Sequence, residues 1–295
     1  MAPRILCGQP VECLSRQRSG MGGSRDSPTG HGPIPHYAAV AGSDRSRPAP
    51  VHWCARFPPH IRLVRQVAPE CEELAWDCRN FLIRVTRFLA GEAGITQFLD
   101  CGSGLPTAEN THQVAQRLQP DARVVYIDKD PIVLAHGRAL LEENDQTHFT
   151  AADIFMPGEV LGDEVVGKYL DFSEPIALFQ LSTLHHYDGQ RSSQSIMAEY
   201  IDALPSGSYV AISHFFDPET PELSNFARKL EQVFLHSPMG SGWFRTRAEI
   251  EGMFPGLELV EPGLVLCADW WPDGPRIKPL DPVQRCVLGA VGRKP

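Results

Sequence analysis

No stretch of this 295-residue chain is apolar for long enough to cross a bilayer, and the first residues hold no apolar leader core, since Ile5-Leu6 runs at once into Cys7, Gly8, Gln9 and Pro10. The reading is a cytoplasmic protein with no membrane partner. Basic charge is not in excess either. The formal net charge is -9, which argues against a general nucleic-acid or membrane-surface binder, because such proteins need a basic stripe to displace counterions. Eight cysteines are present, yet none forms a Cys-x-x-Cys pair, so zinc-ribbon spacing is absent, reduced thiols are the default and no metal is expected. Cys71 and Cys78 share a face of a predicted helix as small core residues, and Cys101 is expected to be partly exposed within a glycine turn. There is no internal repeat.

Two further absences lie in the stretch around which the chain is organised, Phe98-Leu99-Asp100-Cys101-Gly102-Ser103-Gly104-Leu105-Pro106. It reads as a buried strand that ends on an acid and breaks into a Gly-x-Gly turn before a helix, with Pro106 suited to the first helical turn. A dinucleotide fingerprint would continue to a third glycine, and here Thr107 stands in its place; a Walker loop would need a Gly-Lys-Ser/Thr, and none follows. A phosphate-bearing ligand is therefore disfavoured. Arg123 to Asp128 reads as the next strand, again ending on an acid, and Ala151-Ala152-Asp153 closes a third extended segment. Acids at three successive strand ends of a doubly wound sheet would surround one crevice. Asp128 suits ribose hydroxyls and Asp153 an exocyclic adenine amine. S-adenosylmethionine, which has no phosphate and ends in an amino acid, fits this set, with Asp100 near its ammonium and helix N–H groups near its carboxylate.

The 42% hydrophobic content supports a sizeable core. Residues 1–56 differ in kind, being rich in Gly, Pro, Ser, Arg and His without hydrophobic period, and read as a disordered or non-native arm. The alternative is an arm that binds a partner. From residue 57 onward the pattern alternates. Leu74, Cys78, Phe81, Leu82, Val85, Phe88 and Leu89 form one stripe of a helix ending at Gly91; helices are predicted over 107–118, 131–143, 157–166, 191–204, 221–236 and 246–254. Strands at 175–181 and 208–214 add to those above, and 257–266 with 284–291 suit an antiparallel pair at the sheet edge. The fold class is α/β: a Rossmann-like, doubly wound, mostly parallel seven-stranded sheet with the last strand antiparallel.

Methyl transfer from a sulfonium asks the protein to align donor and acceptor, exclude water and take a proton. The acceptor side should be built from the fourth and fifth strand ends, where His185, His186, Tyr187 and His214 fall. Either His185 or His186 could be the general base. Adjacent histidines after a strand should point apart, so one of the two is expected to face the crevice. His185, His186, His214 and Asp217 could also hold a metal, although no helical ligand spacing supports it. Trp243, Trp270 and Trp271 could line an acceptor pocket or belong to the core.

Phe98 to Gln116, with its Gly104-Leu105-Pro106-Thr107-x-x-Asn110-x-His112 core, resembles the first motif of the actinobacterial S-adenosylmethionine-dependent methyltransferase family once catalogued as DUF574. Further similarities are Val124 to His136, Leu170 to Pro175, Leu184-His185, Leu204 to Tyr209, Leu257 to Leu264 and Val291 to Pro295, so the resemblance spans about 57–295. It implies the class I methyltransferase sheet and S-adenosylmethionine as cofactor, with Asp100, Gly102 and Gly104 at the methionine end, Asp128 at the ribose, and Asp153 with Ile154 at the adenine. No acceptor follows beyond a small molecule, nor does an oligomeric state. Family members carry a Tyr-x-Tyr-x-Leu-Gly-Gly-Lys stretch before the first long helix, and Val51 to Arg56 lacks it. A shifted reading frame before residue 57 would account for that departure. The competing functions are a cofactor-binding protein without turnover and a nicotinamide oxidoreductase, the latter opposed by the absent third glycine.

Overall fold

The computed structural model describes residues 58–104, 109–140, 144–237 and 239–295. The arm predicted over 1–56 and the positions of Pro106 and Thr107 lie outside the described residues. At the centre is β1 (Gln97–Cys101), buried along its whole length. It lies between β2 (Arg123–Ile127) and β4 (Ala177–Leu181), parallel to both, with Leu99 level with Val125 on one side and with Leu178 on the other. β3 (Thr147–Thr150) pairs outside β2, and β5 (Tyr209–Phe215) outside β4, again parallel. The last strand, β8 (Val287–Arg293), runs antiparallel to β5 and carries β6 (Glu258–Leu259) and β7 (Val265–Leu266) on its far side. The order β3-β2-β1-β4-β5-β8-β6 is seven positions wide, and the predicted fold class is the observed one. The edge segment predicted as one strand over 257–266 is split at Glu261, Pro262 and Gly263, the last at φ +80°, because a proline offers no N–H to a ladder.

Alternation along β1 sends Phe98 to one face of the sheet and Leu99 and Cys101 to the other. The first face is covered by α1 (Pro58–Val67), α2 (Cys71–Arg87), α3 (Thr111–Leu118), α4 (Pro131–Leu140) and α8 (Pro221–Leu235); the second by α5 (Pro157–Leu161), α6 (Glu164–Tyr169), α7 (Ser193–Ala203) and α9 (Arg247–Glu251). α2 buries Leu74, Phe81 and Val85, and its acidic first turn and basic last turn suit the helix dipole. It passes into a π-helical turn at Phe88–Glu92, ended by Gly94 at φ +69°.

Two helices differ from the sequence reading in where they begin or break. α3 starts at Thr111 rather than Thr107, because Asn110 is extended at ψ 162° and forms a capping box with Gln113. The helix predicted over 157–166 is two short ones, since the Asp163 carboxylate accepts from Val165 N and Val166 N and starts α6 afresh. Trp270 is fully buried edge-on against Phe81, and Trp271 stacks beside it. Both belong to the packing of α2.

Candidate active site

A cavity of about 650 Å³ opens where the strand order reverses between β1 and β4, the place where open α/β sheets bind ligands. Its floor is the turn after β1. Gly102, at φ +78°, donates its N–H to Ile127 O at 2.7 Å, and a Cβ there would fall 2.5 Å from Thr183 Cγ2. Only glycine fits that close approach. Gly104, at φ +64°, donates its N–H to Asp128 Oδ2 at 3.0 Å, while Asp128 Oδ1 accepts from Asp130 N at 2.9 Å. Asp128 therefore ties the end of β2 to the glycine turn, and it lines the cavity.

Asp100 is buried and lines the same cavity. Thr111 Oγ1 donates to its Oδ2 at 2.6 Å. Loss of water pushes its pKa up to about 6, against the opposing pull of that hydrogen bond and of Arg79. Cys101 is fully buried, not partly exposed as the turn suggested, and burial raises its thiol pKa. The N-terminus of α3 is also less open than expected. His112 N–H donates to the Tyr126 hydroxyl at 2.9 Å, and the Asn110–Gln113 box occupies another group. The cation in this half is instead Arg79, which the sequence reading passed over. It is 7% exposed, donates to Glu109 O at 3.4 Å, and feels the charge of Asp100 most strongly among its neighbours. The signal was available: Arg79 lies four residues after Ala75 and three before Leu82, and all three line the cavity.

At the end of β3, Ala152, Ile154 and Phe155 provide an apolar wall. Ile154 approaches the Gly102 position, and its carbonyl accepts from the Tyr200 hydroxyl at 2.8 Å. Asp153, between them, is turned away from the cavity lining. Its carboxylate meets Lys129 Nζ at 2.8 Å and accepts from Phe155 N at 3.0 Å.

The other half is built on β4 and β5. Ser182 sits at φ +58°, a conformation a serine adopts only under constraint, and is held by the Ser213 carbonyl and hydroxyl. The chain then enters a 3-10 turn, Leu184–His186. This turn, rather than an extended strand end, brings both histidines to the cavity, with ring centroids 4.4 Å apart. The expectation that one would face away does not hold. His185 stacks on Phe215 at 3.6 Å with an interplanar angle of 10°. His186 Nδ1 meets Ser241 Oγ at 2.8 Å. His214 is fully buried outside the cavity lining, with Nδ1 on Phe215 O at 2.7 Å. Burial holds all three imidazoles neutral, with His186 lowered to about 4, His214 to about 3 and His185 well below its usual range. Asp217 is engaged with Arg228 and Ser224 instead. No cluster able to hold a metal occurs among the described residues; of His185, His186, His214 and Asp217, only the first two line the cavity. Trp243, Trp270 and Trp271 do not line the cavity among the described residues; Phe215, Phe234 and Met239 do.

A family model described as S-adenosyl methyltransferase matches residues 60–295. Among solved structures, the chain is similar to a candidate methyltransferase of Thermobifida fusca YX, with 39% identity, a TM-score of 0.76, and coverage of 85% of this chain and 96% of that one. It is also similar to a DUF574 family protein of Streptomyces avermitilis MA-4680, with 33% identity, a TM-score of 0.75, and coverage of 81% and 90%. No curated protein matches the chain.

Proposed function

The chain belongs to the S-adenosyl methyltransferase family, and from that premise we propose that the cavity between β1 and β4 holds S-adenosylmethionine and brings a small-molecule acceptor against His185 and His186. It is an S-adenosylmethionine-dependent methyltransferase. The observation that carries the site assignment is the division of one cavity into a charged half and a histidine half.

The residues present fit the cofactor. Gly102 and Gly104 let the backbone approach the methionine portion. Asp100 receives its ammonium and Arg79 its carboxylate, a pairing that keeps both ligand charges matched in a buried setting. Asp128, a carboxylate on the cavity wall, receives ribose hydroxyls. Ile154 and the wall around it cover the adenine, with Asp153 at its rim beside Lys129. When bound, the cofactor supplies an electrophilic methyl on a sulfonium. The chain contributes alignment, exclusion of water and a proton acceptor. His186 serves that last part when Ser241 Oγ accepts from Nδ1, which leaves Nε2 as a bare acceptor. His185, stacked on Phe215, fixes the wall beside it.

Titration of S-adenosylhomocysteine into the full chain by calorimetry, with NAD as control, tests the reading. Micromolar binding, about -8 kcal/mol, with no heat from NAD is expected. A folded protein that ignores both overturns the site.

A further inference from the structure

We infer that the acceptor is an uncharged aromatic compound bearing a hydroxyl, which that hydroxyl presents to His186 Nε2. The inference rests on the methyltransferase reading and concerns the half of the cavity that the cofactor residues leave over.

Every formally charged side chain among the described cavity residues belongs to the other half: Asp100, Asp128 and Asp130 with Arg79 and Lys129. At the ends of β4 and β5 the described lining holds no Asp, Glu, Lys or Arg. An ammonium or carboxylate entering there would lose its water and meet no counter-charge, which costs several kcal/mol for an ion in a buried setting. A cationic acceptor would in addition lie against the sulfonium. The described lining of this half thus offers a charged acceptor no counter-charge.

The same half is shaped for a ring. Phe215 is sandwiched in a stack, with His185 on it at 3.6 Å and Phe234 at 5.2 Å, at interplanar angles of 10° and 11°. Phe215, Phe234 and His185 all reach the cavity, and Met239 and Leu181 fill between them. Aromatic side chains and a thioether at the wall favour an aromatic ligand over a branched aliphatic one. Polar groups are few. His186 is half-buried, its Nδ1 is taken by Ser241, and its Nε2 makes no hydrogen bond among the described residues. His185 Nδ1 is also without a partner but fully buried, so the half-buried His186 presents the acceptor that calls for a donor on the ligand, and a hydroxyl is an uncharged donor that can itself take a methyl.

The test uses the full chain saturated with S-adenosylhomocysteine and four matched probes read by calorimetry: naphthol, its aminomethyl analogue, its carboxylate analogue and its methyl ether. Naphthol is expected to bind about tenfold or more tighter than each of the other three, the ether comparison isolating one hydrogen bond. In His186→Phe, which keeps the flat wall, naphthol and its methyl ether should bind alike. Equal or tighter binding of either charged probe overturns the inference, as does a naphthol-to-ether preference that survives in His186→Phe, or no naphthol binding at all. Saturation with S-adenosylhomocysteine is measured first, so its failure counts against the methyltransferase site and not against the acceptor class alone.

Discussion

Asp128 holds two backbone N–H groups, those of Gly104 and Asp130, before any ligand arrives. Its replacement by alanine therefore removes the proposed ribose contacts together with a tie between β2 and the glycine turn. Asp128→Ala is expected to weaken S-adenosylhomocysteine binding tenfold to a hundredfold, the equivalent of about 1.5 to 3 kcal/mol for bonds to a charged acceptor. Thermal unfolding of the unliganded variant reports how much of the change belongs to the turn. Arg79 gives a sharper separation. Arg79→Met should cost S-adenosylhomocysteine a similar factor and leave methylthioadenosine, which lacks the amino-acid portion, unaffected when both are measured by calorimetry. Equal losses for the two ligands would place Arg79 in the fold rather than at the carboxylate. Among the acids, Asp100 and Asp128 line the cavity as their strand-end positions suggest. Asp153 is not among the residues lining the cavity, and its carboxylate meets Lys129 at the end of the neighbouring strand.

At the scale of elements, α2 is the part that both packs the sheet and reaches the cavity. Its Phe81 ring lies over β8, so close that a Cβ on Gly289 would come 2.6 Å from the ring. Gly289→Ala must displace Phe81 or bend β8, an overpacking change that typically costs about 1 to 3 kcal/mol. The midpoint of urea unfolding should fall accordingly, with the slope unchanged. The existence of α2 was legible in its apolar stripe, and so was the strand-helix alternation from β1 to β5. The start of α3 was not, because the Asn110–Gln113 box competes with the earlier residues for the same end, and propensity does not rank the two. The orientation of His185 and His186 depended on a single left-handed residue, Ser182, whose side chain does not favour that conformation.

For the whole molecule, the buried titratable groups set the response to acid. His186 and His214 have folded pKa values of about 4 and about 3 against an ordinary 6.5, and His185 lies well below it. Below pH 6.5 the unfolded chain therefore binds more protons at these three sites, and stability falls as pH falls through that window. Asp77 and Asp100 act oppositely. Raised to about 6 from 3.8, they bind protons in the folded state first, and stabilise it as pH drops from 6 towards 4. Three histidines against two acids leave a net proton uptake on unfolding across this window, so stability falls as the pH is lowered. Urea midpoints measured from pH 6.5 to 4 should decline. A midpoint that rises over this range would show that the histidines are not buried as described.

The sequence by itself determined the α/β alternation, the glycine turn after β1 and the acids at Asp100 and Asp128, because hydrophobic period, positive φ and strand-end position are local properties. Tertiary structure alone decided which charges share the cavity, that Arg79 lies near Asp100, that Lys129 pairs with Asp153 and that both His185 and His186 line the cavity. Those outcomes depend on elements brought together from distant parts of the chain, where burial and pairing, which no local pattern encodes, set the chemistry.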